Sequence, residues 1–101
     1  MGETIYLCCD YAYNRVQCIL YYQEEPVLLS KNETKLFDLL FKKRGEIVLS
    51  ETIEEAIWPD YPIKDSTRRT LVYRLRKRLN NQLVEHVPRV GCRLTIEEEA
   101  T

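Results

Sequence analysis

The sequence is poor in the residues from which catalytic and metal-binding sites are built. It contains one histidine, His86, and three glycines, none of which lies near another glycine. A phosphate-binding loop needs several glycines in close succession, so no such loop is predicted. The four cysteines form no Cys-x-x-Cys pair, and His86 has no cysteine or carboxylate at a spacing typical of metal ligands. We therefore predict no metal, no cofactor and no catalytic residues.

Long apolar runs are also absent. No run approaches the roughly 18 residues that a membrane-spanning helix requires, and no signal-peptide pattern opens the chain. The cysteines, which are Cys8, Cys9, Cys18 and Cys92, have apolar neighbours typical of strands. This setting predicts reduced, buried residues rather than disulfides, and hence a cytoplasmic protein.

Positive charge is concentrated in one part of the chain. The 101 residues carry a formal net charge of -1, but residues 66–94 hold eight Lys or Arg and a single acid, Glu85. These residues therefore carry a formal charge of +7, and the rest of the chain carries -8. Because nucleic acids are bound by local patches of positive charge, the near-neutral total does not exclude such a partner.

Length and composition predict one α+β domain that spans residues 1–101. With 45% hydrophobic and 31% charged residues, the composition is that of an ordinary globular protein. Residues 4–29 predict a small antiparallel sheet, because β-branched and aromatic residues are concentrated in 5–8 and 16–22, with a short closing strand at 26–29. The remaining segments predict three helices (30–80), a β-hairpin (83–96) and a frayed acidic tail (97–101).

Capping residues predict where the helices begin. Ser30 and Glu33 predict a capping box, in which each side chain bonds the backbone amide of the other residue. Ser50 is the predicted N-cap of the second helix, and Asp65 that of the third. Residues 47–49 predict only a brief extended link. The first helix has one apolar face at helical spacing, which comprises Leu36, Phe37, Leu40 and Phe41.

The third helix, predicted over residues 66–80, has two opposite faces. Its apolar side predicts packing against the first two helices and comprises Leu71, Val72, Leu75 and Leu79. The other side carries hydroxyls, one aromatic ring and cations but no carboxylate; its residues are Ser66, Thr67, Thr70, Tyr73, Arg74 and Lys77. Arg69, Arg76 and Arg78 flank this side. Arg68 projects toward the apolar side, where we expect its guanidinium to extend to solvent.

The acid-free side of the third helix predicts binding to DNA. Arginine can bond a guanine edge with two donors, and a threonine methyl can contact a thymine methyl. Hydroxyls and lysine typically hold phosphates. A hairpin that carries Arg89 and Arg93 follows the helix directly. Three helices followed by a hairpin is the order of a winged helix-turn-helix, which is the fold we predict.

Four segments resemble the DNA-binding effector domain of OmpR/PhoB-type response regulators, over about residues 5 to 96. The segments, in the family's order and spacing, are 25–30 with Glu33, 45–48 followed by 55–58, Thr67 followed by 74–79, and 90–94. The resemblance implies an N-terminal four-stranded sheet, three helices and a C-terminal wing. It also implies that helix 66–80 enters the major groove of double-stranded DNA and that the wing reaches the adjacent minor groove.

The resemblance further implies roles for individual residues. In such proteins the positions of Thr70 and Arg74 face bases. The positions of Thr67, Tyr73 and Arg76 lie near the DNA backbone. The loop between the second and third helices often contacts RNA polymerase; here it comprises Pro59, Asp60, Tyr61, Pro62, Ile63 and Lys64. Such domains typically bind direct repeats as tandem dimers and are controlled by phosphorylation of a separate receiver domain.

The sequence departs from the usual pattern of that family. It contains no receiver domain, so we expect either an excised domain or an effector without a receiver. Family members usually have an apolar residue at the position of Arg68, an acid at that of Arg69 and often a histidine at that of Leu71. At the wing tip, Pro88-Arg89 replaces the usual Arg-Gly pair. Either Arg89 supplies the minor-groove cation from one position later, or the turn differs.

Protein and RNA are the alternative partners to DNA. A winged helix that binds protein instead is the alternative function, since Glu51, Glu54 and Glu55 form an acidic surface on the predicted second helix. RNA binding is less favoured, although sequence-specific RNA modules do expose aromatic residues on a sheet. We expect the tyrosines of the predicted sheet to pack against the helices or against a receiver domain; they are Tyr6, Tyr11, Tyr13, Tyr21 and Tyr22.

Overall fold

Within residues 4–60 and 62–95, which are those that the computed structural model describes, the chain forms seven strands and three helices. In chain order they are β1 (Thr4–Tyr6), β2 (Tyr11–Asn14), β3 (Ile19–Tyr22), β4 (Glu25–Pro26), α1 (Lys31–Lys42), β5 (Ile47–Leu49), α2 (Ser50–Ile57), α3 (Asp65–Arg78), β6 (Val84–Val87) and β7 (Gly91–Leu94). The predicted α+β winged helix-turn-helix is confirmed. Tyr61 of the predicted loop, Ile96 and the predicted acidic tail (97–101) lie outside the described residues.

The N-terminal sheet is antiparallel, with its strands in the order β1-β2-β3-β4. Its inner face buries Tyr11, Tyr13 and Leu20. The Tyr13 hydroxyl donates to Asp38 of α1 (2.7 Å), and the Tyr11 hydroxyl accepts from the amide of Asn80 (3.0 Å). Burial raises the pKa of both tyrosines above the usual value, so both hydroxyls stay protonated over the neutral range. The buried tyrosines thus pack against the helices, as predicted.

Several strand predictions for this sheet were wrong. Strand β1 ends at Tyr6 rather than at residue 8. Residues 16–18 form a turn, because the Asn14 side chain accepts the amide N–H of Gln17 (2.9 Å) and Cys18 has a φ of 57°. Residues 27–29 do not extend β4. Strand β2, which propensity did not predict, pairs with both β1 and β3 and completes the four-stranded sheet that the family resemblance implies.

Helix α1 begins at the predicted capping box. The Ser30 hydroxyl accepts the Glu33 N–H (3.1 Å), and the Glu33 carboxylate accepts the Ser30 N–H (3.1 Å). The same carboxylate oxygen lies 3.2 Å from Nε of Arg78, the last residue of α3. The Glu33 side chain is only 2% exposed, and these donors compensate for its removal from water. Glu33 therefore joins the start of α1 to the end of α3.

The hydrophobic core lies between α1, α3 and the two sheets. The predicted apolar face of α1 is buried, and the Tyr13 ring contacts the rings of Phe37 and Phe41, each at a centroid distance of 4.8 Å. The predicted apolar side of α3 joins the same core through Leu71, Val72, Leu75 and Leu79. Because α3 buries this side, its opposite side is turned outward.

Strand β5, predicted only as an extended link, belongs to the wing. The wing sheet has the order β5-β7-β6, with Val48 opposite Cys92. A Cβ atom on Gly91 would lie 1.9 Å from the carbonyl oxygen of Val48, so the two strands approach this closely only because residue 91 is glycine. The N–H and the hydroxyl of Ser50 both donate to the carbonyl of Val90, at 2.9 and 3.3 Å. The start of α2 is thereby fixed to the wing.

Two predicted N-caps were wrong by one residue. Ser50 and Asp65 are the first residues of α2 and α3, and neither helix has a side-chain cap. Each side chain has another partner instead: Ser50 bonds the wing, and Asp65 pairs with Arg68. Helix α3 also ends at Arg78 rather than at residue 80, because Asn80 and Asn81 have φ angles of 55° and 59°.

Arg68 connects α2 to α3 and does not extend to solvent as predicted. Its guanidinium forms an ion pair with Glu54 of α2 and lies 3.3 Å from Asp65. The Arg68 side chain is 14% exposed. The expectation failed because Glu54 lies on a different helix, so no spacing within α3 indicates the pair. Since α2 and α3 form the helix-turn-helix, this ion pair stabilises the angle between them.

The cysteines are less buried than predicted. Cys92 is 2% exposed, and burial raises the pKa of its thiol to about 11 against the opposing effect of the nearby Arg76 and Arg68 charges. Cys8 and Cys18 are half-buried, and Cys9 is exposed. The prediction of four buried cysteines therefore holds only for Cys92.

We expect the Arg68–Glu54 pair to stabilise the fold measurably. A double-mutant cycle with Arg68→Ala and Glu54→Ala should give a coupling free energy of about 1–3 kcal/mol by urea unfolding, because the guanidinium is largely removed from water. The Arg93–Glu85 pair is the control, because its side chains are 37% and 47% exposed. That pair should give about 0.2–1 kcal/mol. A coupling for Arg68–Glu54 no larger than that of the control would contradict this role.

Candidate nucleic-acid interface

The side of α3 that was predicted to face DNA is exposed. We call it the polar face of α3; it comprises Ser66, Thr67, Thr70, Tyr73, Arg74 and Lys77, all of which are solvent-exposed. Tyr73 is 60% exposed, and Nζ of Lys77 lies 5.5 Å from the centroid of its ring. The structure thus brings together hydroxyls, one aromatic ring and two cations on one helical surface, without a carboxylate.

Arg69 and Arg76 flank the polar face on the side of the wing. With Ser50, Tyr73 and His86, they line a recess of about 210 Å³ between α3, α2 and the wing. We call it the wing recess. Nε of Arg76 is buried and has no hydrogen-bond partner among the described residues. Because arginine side chains line it, the wing recess is suited to an anionic ligand such as a phosphate.

His86 and Ser50 in the wing recess were not identified from the sequence. His86 is exposed. Its position beside α3 depends on the pairing of His86 with Cys92, across the hairpin. Ser50 reaches the recess because α2 begins against the wing. No local sequence pattern indicates that either residue lines the recess, because both positions depend on strand pairing in the wing.

Two of the predicted DNA-binding arginines are engaged in ion pairs. Arg78 contacts Glu33, as described above, and its side chain is 49% exposed. Arg93 of β7 pairs with Glu85 of β6, with its Nε 3.1 Å from the carboxylate. Both arginines remain partly accessible, but each positive charge has a carboxylate beside it. Their contribution to the potential at the surface is therefore smaller than that of Arg74.

The wing tip presents Arg89 to solvent. The turn runs from Val87 to Val90 and is closed by the Val90 N–H, which donates to the Val87 carbonyl (3.0 Å). Pro88 occupies the second position and Arg89 the third, with a φ of 68°. Proline at the second position and positive φ at the third are features of a type II turn. Arg89 is exposed and thus lies at the tip of the hairpin.

The surface around α2 has the opposite charge. A groove beside the loop between α2 and α3 is lined by Glu51, Glu54, Glu55, Trp58, Pro59, Pro62 and Ile63. Within the predicted polymerase-contact loop, Pro59, Asp60, Pro62 and Lys64 are exposed, and Ile63 is half-buried. The acidic groove is unsuited to a phosphate backbone and suited to a basic protein surface.

Residues 4–60 and 62–95 contain neither a metal-binding cluster nor a helix that could cross a membrane. No three His, Cys, Asp or Glu side chains in this part of the chain are placed to hold a metal ion. None of its helices combines the length and the apolar character that crossing a membrane requires.

The chain matches a known family over most of its length. The model of the family described as "Transcriptional regulatory protein, C terminal" matches residues 24–94. The regulatory protein VanRc of Enterococcus gallinarum is 39% identical over 70 residues, which are 68% of this chain and 29% of that protein. The chain thus spans less than a third of the length of this curated relative.

Solved structures share the fold. The response regulator DrrB of Thermotoga maritima, described as an OmpR/PhoB homolog, superposes with a TM-score of 0.79 at 19% identity, over 92% of this chain and 44% of that one. The DNA-binding domain of RstA from Klebsiella pneumoniae, solved in complex with the RstA box, superposes with a TM-score of 0.77 at 18% identity, over 92% and 97%.

The family match and the common fold agree on one assignment. The chain belongs to the family of C-terminal domains of transcriptional regulatory proteins, the winged-helix effector domains of OmpR/PhoB-type response regulators.

Proposed function

We propose that this chain binds double-stranded DNA sequence-specifically, as the effector domain of a two-component response regulator. The polar face of α3 enters the major groove, and the wing tip reaches the adjacent minor groove. The observation that carries the proposal is the exposed, carboxylate-free polar face, held outward by the buried side of α3. Two findings support this proposal. The chain belongs to a family of transcriptional regulators, and the RstA DNA-binding domain, which shares its fold, was solved in complex with the RstA box.

Each predicted site residue takes a role that fits its position. Thr70 and Arg74, in the polar face, contact base edges. Thr67, Tyr73 and Lys77, in the same face, hold phosphates.

The cations beside α3 and on the wing contact the DNA next to the major-groove site. Arg69 and Arg76, which line the wing recess, bind a phosphate there. Arg89 enters the minor groove from the wing tip. Arg78 and Arg93 make weaker contacts at the rim, because carboxylates already neutralise them.

The partners of the whole regulator are also proposed from the family. A receiver domain in the parent chain controls the domain by phosphorylation, in the cytoplasm, and two effector domains bind as a dimer on direct repeats. RNA polymerase contacts the loop 59–64 through the acidic groove beside it. These proposals rest on the resemblance to the family, and this chain spans less than a third of the length of the curated relative VanRc.

Selection from a random duplex library tests the proposed DNA binding. At about 150 mM salt, non-specific phosphate binding is already weak, so only sequence-specific complexes should be enriched. We expect enrichment of a direct repeat with half-sites about one helical turn apart. If no sequence is enriched, the chain is a winged helix that either needs a further domain to dimerise on DNA or binds protein instead. In the second case the acidic groove beside α2 is the surface to examine.

Arg74→Ala should weaken the selected site specifically. We expect a loss of about 1–3 kcal/mol on that site and a relaxed base preference at one position, because a bidentate contact to a base is removed. Affinities for the selected and scrambled duplexes are compared by fluorescence anisotropy. Lys35→Ala, which removes an exposed cation from α1, is the control and should change neither. An equal loss on both duplexes would show that Arg74 contacts only the backbone.

Lys77→Ala should weaken all duplexes to the same extent. Since a phosphate contact is lost, the slope of log K against log salt should fall in magnitude by about one unit. The slope is measured by titration at several salt concentrations on the same two duplexes. Lys77→Arg retains the charge and should retain the slope. A loss confined to the selected duplex would assign Lys77 to base recognition instead.

A further inference from the structure

Two adjacent cysteines converge in the turn between β1 and β2, away from the polar face of α3. The thiol of Cys9 donates to the sulfur of Cys8, at 3.1 Å. The turn is closed by the Leu7 N–H, which donates to the Tyr11 carbonyl (2.7 Å), and by the Tyr11 N–H, which donates to the Cys8 carbonyl (3.2 Å). Cys8 is half-buried against the core and Cys9 is exposed, so the pair lies at the surface of the domain.

The backbone of this turn holds the two sulfurs on the same side. Cys9 and Asp10 have φ angles of 64° and 71°, a conformation that few residues other than glycine adopt. The separation of 3.1 Å lies between the disulfide bond length of about 2.05 Å and the roughly 3.8 Å expected for two sulfurs on one tetrahedral zinc ion. The two sulfurs are therefore close enough to bind one and the same atom.

The other two cysteines do not offer such a site. The Cys18 thiol contacts the Arg15 carbonyl and Asp38. Cys92 is buried in the wing, and its pKa is raised to about 11 by that burial, so little thiolate forms at neutral pH. The two residues provide controls for the Cys8–Cys9 pair within the same chain.

We propose that Cys8 and Cys9 form a dithiol site that chelates a trivalent arsenical. The chemistry follows from the number of ligands. A structural zinc ion takes four protein ligands, and in the described part of the chain no third His, Cys, Asp or Glu completes such a set. An organic arsenical with one carbon substituent needs two sulfur ligands. A linear two-coordinate ion would need the sulfurs on opposite sides, which their separation forbids.

The reaction needs no oxidant. An arsenical oxide, R–As=O, forms two As–S bonds with the two sulfurs while its As=O bond is broken. The two thiol protons leave with that oxygen as one water molecule. Arsenic remains trivalent and both sulfurs keep their oxidation state. The second As–S bond forms within the same molecule, so the chelate is favoured over two separate monothiol contacts by an effective concentration.

Phenylarsine oxide is the probe for this site. The full chain, first reduced with a phosphine, should gain one phenylarsenic group less two hydrogens by intact mass spectrometry. Cys8→Ser and Cys9→Ser should each lower the affinity about 100-fold or more, because the chelate is lost. Cys18→Ser and Cys92→Ala should retain the adduct. A dithiol such as 2,3-dimercaptopropanol should remove it, while a monothiol at the same concentration should not.

The variants also separate a lost site from a lost fold. Circular dichroism and thermal unfolding of Cys8→Ser and Cys9→Ser should match those of the original chain, since Cys9 is exposed and Cys8 half-buried. The proposal is overturned if the reduced chain takes up no phenylarsenic group. It is equally overturned if the adduct survives in either single variant, or if it requires Cys18 or Cys92. None of these outcomes depends on DNA binding.

Discussion

The carboxylate of Glu33 is the interaction on which the arrangement of this domain depends. It accepts the Ser30 N–H at the start of α1 and lies against Arg78 at the end of α3, with only 2% of the side chain exposed. A buried carboxylate is costly unless donors surround it, and the approach of the end of α3 supplies the Arg78 donor in addition to the local Ser30 N–H. This contact fixes one end of α3, and the Arg68–Glu54 pair fixes the other against α2. The polar face lies between these two contacts and is exposed to solvent.

This placement of carboxylates divides the basic residues into two groups. Arg68, Arg78 and Arg93 have acidic partners at Glu54, Glu33 and Glu85. Among residues 4–60 and 62–95, no carboxylate forms an ion pair with Arg69, Arg74 or Arg89. Arg74 lies in the polar face, Arg69 flanks it and Arg89 lies at the wing tip. A helix that only needed solubility would not segregate its charges in this way. Coulomb attraction for phosphates is therefore strongest where the shape of the domain can enter a groove.

What the sequence could predict was local. The capping box at Ser30 and Glu33, the buried face of α1 and the two faces of α3 all arise within one helix and its flanks, and all were predicted correctly. The wing strand β5 and the wing recess depend on the pairing of Val48 and His86 with Cys92, which no short pattern specifies. The partner of Arg68 lies on another helix, so its role was missed for the same reason. Local capping rules assigned the side chains of Ser50 and Asp65 to helix ends. Ser50 instead bonds a distant partner, the Val90 carbonyl, and Asp65 pairs with Arg68 one turn along α3.

The N-terminal sheet and α3 form one packed body. The Tyr13 hydroxyl is bonded to Asp38 of α1, and the Tyr11 hydroxyl to Asn80 just beyond α3, while Tyr6 on β1 is 81% exposed. Close-packed interiors respond to a force by moving as rigid units rather than by gradual deformation. On the proposed function, a receiver domain joined ahead of β1 would thus change where the whole domain sits, not the shape of the polar face. Control would then act on the distance between two domains, and so on which spacing of direct repeats they can occupy together.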